Sequence, residues 1–220
     1  MKKVAKVAEV VGMIPDGASI MVGGFMAVGT PTRLIDEIVR QGRRDLTIIA
    51  NDTARPGCGV GKLISAGLVS RVIASHIGLN PETQRGMLTG DIEVELVPQG
   101  TLVERIRAGG YGLGGVLTPT GVGTLAAEGK RVVEIDGRAF LLEMPLRADF
   151  ALIGAKHADY SGNLDYALTA RNFNPVMAMA ADTVIAEADE IVPVGVIPPD
   201  HVVTPGVVVD YLIAREMRHG

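Results

Sequence analysis

The chain contains no tryptophan, and aromatic residues make up only 4% of its 220 residues. Its interior must therefore be built from Val, Ile, Leu, Ala and Met, within a hydrophobic total of 47%. There is one cysteine, Cys58. A lone thiol excludes an intramolecular disulfide and gives no sign of an oxidising compartment. Basic charge is not in excess, since the net charge is −4. With no interleaved Arg/Lys and aromatic run, a nucleic-acid partner is excluded. No apolar run approaches the ~18 residues of a membrane span, so no membrane is expected. The opening MKKVAKVAEVVGMI resembles a signal peptide only briefly, because Lys6 and Glu9 interrupt its apolar region. Val4, Val7, Ala8 and Val11 instead fall on one helical face and predict an amphipathic first helix. Together these absences predict a cytoplasmic chain, a single domain over 1–220.

What the chain has in abundance is glycine, 28 residues of it, and short aliphatic runs. That pairing suits parallel strands buried on both faces. Ala18–Val22 reads as a buried strand. Thr30 is placed to cap the next helix, with Pro31 in its first turn, and Gly42 is placed to end it. Leu46–Ala50 follows as a strand, which makes a strand–helix–strand unit and predicts parallel pairing. The alternation continues with a helix near Gly61–Gly67, a strand at Arg71–Ser75, a helix near Pro81–Leu88, a strand at Ile92–Val97 and a helix near Thr101–Ala108. The stretch GGYGLGGVLTPTGVGT then holds seven glycines in sixteen residues. So many predict an ordered loop system at a site or an interface. RVVEIDGRAFLLE reads as a hairpin turning at Asp136-Gly137. DFALIGA and DTVIAEA read as further buried strands with a helix, NPVMAMAA, between them, and the C-terminal forty residues as extended strands with loops. The fold class is α/β, a mostly parallel sheet with flanking helices and a β-rich insertion.

Three familiar motifs nearly fit and fail. RPGCGVGKL lacks the P-loop's first glycine and its hydroxyl residue, those places being Pro56 and Leu63. Gly110, Gly112 and Gly115 match G-x-G-x-x-G, but follow a helical segment where a dinucleotide site needs a strand. His76, His157, His201, His219 and Cys58 are scattered without ligand spacing, so no metal is expected.

The stretch DGASIMVGGFMAVGTP, Asp16–Pro31, fills every defined place of a signature: Asp-Gly, two spacers, three aliphatics, Gly-Gly-Phe, three spacers, Gly, one spacer, Pro. It resembles the α-type half of 3-oxoacid CoA-transferases. IANDTA, VIASHIGLNPET, ELVPQGTLVERIRAGG, TPTGVGT and ARNFNP extend that resemblance over nearly the whole chain, toward α subunits of bacterial acetate/acetoacetate CoA-transferases. The resemblance implies exchange of CoA between a short-chain acyl-CoA and a free carboxylic acid, through a covalent glutamyl intermediate. CoA and acyl-CoA are then substrates, with no permanently bound cofactor. In that family the nucleophilic glutamate lies in the β half, in a Ser-Glu-Asn-Gly-type motif. No Glu-Asn-Gly occurs here. No catalytic nucleophile is therefore expected in this chain, which needs a CoA-transferase β subunit as partner. Glu82 is the one glutamate in a loop near the expected site, and reads better as a carboxylate favoured by a helix N-terminus.

The same resemblance places Gly23, Gly24, Phe25, Met26, Ala27, Val28 and Gly29 around the CoA arm. The glycines permit positive φ and close approach, and Phe25, Met26 and Val28 line an apolar slot. Thr30 caps a helix whose N-terminus favours a negative group. On this reading Gly24→Arg blocks transfer and leaves the fold largely intact. Gln99, and with weaker support Asn51, are candidate amide donors to a developing oxyanion. His76 is expected to be a hydrogen-bonded structural histidine. Arg171 meets a carboxylate or a neighbouring subunit. A stand-alone acyl-CoA-binding module without transferase activity is the alternative function. An isomerase-like relative ranks last, because no internal acid/base pair is found.

Overall fold

In the computed structural model, which describes residues 3–213, the strand–helix alternation forms one wide parallel sheet. β1 (Lys3–Val4) and α1 (Val7–Gly12) precede β2 (Ser19–Val22), α2 (Thr32–Gln41), β3 (Leu46–Asp52) and α3 (Gly61–Ser65). β4 (Val69–His76), α4 (Pro81–Thr89), β5 (Glu93–Leu96) and α5 (Gln99–Gly110) follow. β6 (Val116–Thr118), β7 (Val132–Ile135) and β8 (Arg138–Glu143) make a separate antiparallel sheet in the order β6-β8-β7. The chain then returns through β9 (Ala148–Asp159), β10 (Leu164–Asp165), α6 (Asn174–Met177), β11 (Ala181–Val192) and β12 (Tyr211–Ile213).

The main sheet runs β1-β12-β11-β9-β2-β3-β4-β5 with every neighbour parallel, and β10 lies antiparallel on β9. From β2 the strands proceed to one edge as β3, β4 and β5. On β2's other side β9 begins the opposite half. The direction of winding thus reverses between β2 and β9, and such a reversal opens a crevice at the strands' carboxyl ends.

Alternation along each strand feeds two cores. Ile20, Val22, Ile48, Ala50, Val72 and Ala74 face Val10, Val11, Leu34, Ile35, Ile38 and Leu63 of the helices, and Ile14 of the loop after the first, on one side. Met21, Ile49, Ile73, Ala151 and Ile153 face Leu102 and Ile106 of α5 and Val176 and Met177 of α6 on the other. Each fully buried aliphatic side chain of this kind contributes about 1.5–3 kcal/mol.

Four local expectations are corrected. Val4 lies in β1 and is exposed, and Ala8 also faces solvent, so the buried residues of the first helix are Val10 and Val11, with Ile14 buried just beyond its end. Thr30 does not cap α2. Its N-cap is Pro31, with no side-chain cap, and the amides of Arg33 and Leu34 donate to the Glu187 carboxylate of β11 at 3.2 and 3.0 Å. A distant carboxylate has taken the place of a local hydroxyl, which nothing adjacent in the sequence announces. The glycine-rich segment contains regular structure: Gly109 and Gly110 close α5, and Val116–Thr118 is β6. A Cβ on Gly109 would lie 2.1 Å from the Leu146 carbonyl oxygen, so glycine there admits a chain crossing rather than a ligand. The NPVMAMAA helix shortens to Asn174–Met177. Other expectations hold. Gly42 ends α2 at φ 69, and Asp136 and Gly137 turn the hairpin at φ 50 and 73. The last part of the expected C-terminal extended segment, 214–220, lies outside the described residues.

Candidate active site

Beyond Val22 the chain makes a tight turn. Phe25 and Val28 exchange both backbone hydrogen bonds, at 3.0 and 2.8 Å, while Met26 and Ala27 between them take φ 50 and 68. Positive φ at both central residues is the requirement of a type I′ turn, usually met by Asn-Gly. Two non-glycine residues there cost about 1–2 kcal/mol each. Something must hold them, and Asp52 does so on one side, accepting the Met26 amide at 2.9 Å. On the other side Asn172 accepts the Gly24 amide at 3.1 Å and donates to the Val28 carbonyl at 2.9 Å. Asn174, fully buried, accepts from the Gly154 amide and donates to the carbonyls of Gly29 and Ala170.

The three glycines of this loop are required by these internal contacts. A Cβ on Gly23 would sit 1.7 Å from Asn174 Oδ1, on Gly24 2.0 Å from Thr30 Oγ1, and on Gly29 2.4 Å from the Ala170 carbonyl oxygen. Gly24 also has φ +126. Gly24→Arg would therefore remodel the loop itself, and a loss of transfer would follow from the displaced loop as well as from a blocked ligand. Most loop amides are spent internally, and those of Ala27 and Gly29 have no acceptor among the described residues. The N-terminus of α2 is likewise taken, by Glu187, and is not open to a ligand anion.

Beside the turn lies a cleft of about 500 Å³, lined by Phe25, Met26, Asn51, Asp52, Ser75, His76, Leu79 and Gln99. These come from the carboxyl ends of four adjacent parallel strands: the turn after β2, the last residues of β3 and β4, and α5's first residue just after β5. Gln99, Asn51, His76, Phe25 and Met26, separated by up to 74 positions in sequence, are thus brought to one cavity. A chain of side-chain hydrogen bonds crosses its floor. Gln99 Nε2 donates to Asn51 Oδ1 at 2.6 Å, and Asn51 Nδ2 donates to Asp52 Oδ2 at 2.8 Å. Ser75 Oγ donates to the Asn51 carbonyl at 2.7 Å. Phe25 is 46% exposed, so its ring is a free apolar wall. His76 is exposed, with no hydrogen bond to its ring among the described residues, and is not the bonded structural histidine expected.

Other candidates lie elsewhere. Arg171 lines a second cavity of about 390 Å³ with Arg107, Tyr111, Asn172 and Pro175. Cys58 is exposed and outside the cleft. Glu82 sits in the first turn of α4, where Ser65 Oγ donates to it, and does not line the cleft. Among the described residues no group of three or more His, Cys, Asp or Glu is placed to hold a metal, and no helix is long and apolar enough to cross a membrane. Sequence reasoning missed Asp52, Ser75, Leu79, Asn172 and Asn174. Their signal was position: each lies in or beside IANDTA, VIASHIGLNPET or ARNFNP, at a strand end or in the loop it meets.

Fold and cleft define a doubly wound α/β protein whose candidate site occupies the strands' carboxyl ends beside a winding reversal, where open sheets of this kind take ligands. Comparison with known proteins makes the class specific. A family described as Coenzyme A transferase matches residues 4–215. The acetate CoA-transferase subunit alpha of Escherichia coli K12 is 56% identical over 214 residues, covering 97% of both chains. The acetoacetyl-CoA:acetate/butyrate CoA transferase alpha subunit of Clostridium acetobutylicum is 51% identical, covering 96% of this chain and 97% of that one. An acyl-CoA transferase of Escherichia coli O157:H7, solved as a thioester complex with CoA, superposes with a TM-score of 0.86 at 23% identity. That match covers 97% of this chain but only 47% of the solved one. This chain belongs to the coenzyme A transferase family and is of its α-subunit type.

Proposed function

We propose that the chain, as a single domain over 1–220, is the α subunit of a short-chain acyl-CoA:carboxylate CoA-transferase of the acetate/acetoacetate kind. It works with a separate β subunit that supplies the nucleophilic glutamate. The observation that carries this reading is the chemistry of the cleft lining. It offers an amide and an apolar wall but no glutamate, and its one carboxylate, Asp52, is already engaged by three donors. A carboxylate so bonded is stabilised as it stands and is a poor nucleophile. The two relatives described as alpha subunits, at 56% and 51% identity, support a division of labour between two chains.

In this reading a partner glutamate attacks the thioester carbonyl, thiolate leaves, and an acyl–glutamyl anhydride forms. The thiolate then attacks the glutamyl carbonyl, releasing the first acid and leaving CoA as an enzyme thioester. The incoming carboxylate reverses the sequence. Gln99's N–H donates to the oxyanion that develops in each step. Phe25 and Met26 flank the pantetheine arm. CoA is a substrate throughout, and the lone unpaired Cys58 supports a cytoplasmic setting.

The test is CoA transfer from acetoacetyl-CoA to acetate by the purified chain, alone and with its β partner. Activity only in the mixture is the expected result. Activity in the chain alone would move the nucleophile into this chain, with Glu82 and Cys58 mutated first. Tight acyl-CoA binding with no turnover in the mixture would favour a binding module instead.

A further inference from the structure

We infer that Asp52 is the positioning residue of the cleft: its carboxylate sets the direction of the Gln99–Asn51–Asp52 hydrogen-bond chain, and so decides which end of the Gln99 amide faces substrate. The inference rests on the transferase reading of the same cleft and assigns a role to a residue that never touches the reacting atoms.

A carboxylate accepts and does not donate. Asp52 is 6% exposed, and Oδ1 accepts the Ala54 amide at 2.8 Å. Oδ2 accepts both the Met26 amide at 2.9 Å and Asn51 Nδ2 at 2.8 Å. The two ends of an amide are nearly alike in shape, so only their partners fix which is which. For Asn51, 1% exposed, Asp52 demands the nitrogen at 2.8 Å, and the Ser75 hydroxyl, 3.4 Å from Oδ1, is a weaker contact that agrees with it. Asn51 Oδ1 is thereby turned toward Gln99, whose Nε2 donates to it at 2.6 Å. A flipped Gln99 would set two oxygens against each other at that distance, so the flip is excluded. What Gln99 then presents to the cleft is the second Nε2 hydrogen together with Oε1. The direction of a substrate-facing, exposed amide is thus decided two residues away by a buried charge.

The same carboxylate anchors the other side of the cleft. Through the Met26 amide it holds the Phe25–Val28 turn, with its two non-glycine residues at positive φ. One group therefore fixes both the apolar wall and the polar amide. The two tasks are separable, because the amide acts in the transition state and the wall acts in binding.

The experiment is a double-mutant cycle in the assembled α–β enzyme, with Asp52→Asn and Gln99→Ala made singly and together. Asp52→Asn preserves shape but puts an NH2 group in place of one of the two acceptor oxygens, so either the Ala54 amide or the Met26 and Asn51 donors lose their acceptor. It is expected to lower kcat by about 10- to 100-fold, the range that small misplacement of a reacting geometry produces. In the Gln99→Ala background the same change should lower kcat by less than about threefold, since the group it orients is gone. The rise in KM from the loosened turn should persist in both backgrounds. Equal kcat losses in the two backgrounds, or no loss in either, would overturn the inference. If Asp52→Asn fails to assemble, Asn51→Ala cuts the chain one link nearer Gln99 and takes its place with the same expectation for kcat, while KM, with the Met26 bond to Asp52 intact, should stay near that of its background. Wild-type enzyme without CoA transfer would remove the transferase reading, and this inference with it.

Discussion

Replacing Asn174 by alanine tests the account of why the Gly23–Gly29 loop is held where it is. The side chain is fully buried. Its Oδ1 accepts the Gly154 amide at 3.0 Å, and Nδ2 donates to the carbonyls of Gly29 and Ala170 at 3.0 and 2.8 Å. Alanine leaves three backbone groups without partners, each worth at least about 1 kcal/mol when buried and unmet. The total is then about 3 kcal/mol, which in a chain of this size lowers Tm by about 6–12 °C. Asn172→Ala is the control. Asn172 bonds the same loop through Gly24 and Val28, but its carbonyl partners lie at the surface, where water replaces the amide. Its loss should cost about 1 kcal/mol. Urea unfolding of the purified variants, followed by circular dichroism, measures both. If Asn174→Ala cost less than Asn172→Ala, the clamp between loop and β9 would not be the feature that fixes the turn.

Phe25→Ala should raise KM for acetoacetyl-CoA about 5- to 30-fold, from the loss of about 1–2 kcal/mol of apolar contact, with unfolding little changed because the ring is half-exposed. An unaltered KM in steady-state kinetics would remove Phe25 from the binding wall. Glu187→Ala deprives the first amides of α2 of their acceptor, and the Arg33 guanidinium of one of several, and should cost about 2 kcal/mol, read as a lower urea midpoint. Glu37, bonded to Arg40 and Gln41, has its carboxyl lowered from 4.5 to about 2, the Arg40 hydrogen bond outweighing partial burial. A lowered pKa stabilises the fold above the unfolded-state value and ceases to do so as pH falls through the folded one. The stability gap between wild type and Glu37→Gln, measured by urea unfolding, should be constant above about pH 5 and shrink between 4.5 and about 2.

The sheet was legible because buried parallel strands announce themselves as aliphatic runs, and the runs at Leu46–Ala50, Arg71–Ser75 and Ile92–Val97 each lie on a strand. Punctuation was legible where one residue decides geometry, as at Gly42 and Asp136-Gly137. Long-range partners were not. Glu187 caps a helix 153 positions away, and Asn174 clamps a loop 145 positions away, and no local pattern marks either. In the first helix Val7 and Val11 of the expected stripe do face the core, but Ala8 gives way to Val10, and Val4 is drawn off into β1 by its pairing with β12. In the cleft, the strand-end position of Asn51 and Gln99 carried the reading. Asp52 escaped it, because a carboxylate following an asparagine has many uses, and its three donors come from places that only folding brings together.

The central claim, that the nucleophile belongs to a partner, is tested most directly by trapping the covalent intermediate. The assembled α–β enzyme is mixed with acetoacetyl-CoA without an acceptor acid, and the intact mass of each chain is recorded. Conversion of a glutamate to its CoA thioester adds the mass of CoA less one water. The account predicts that gain on the β chain alone, with this chain unchanged. The same gain on this chain would place the nucleophile here and contradict the account.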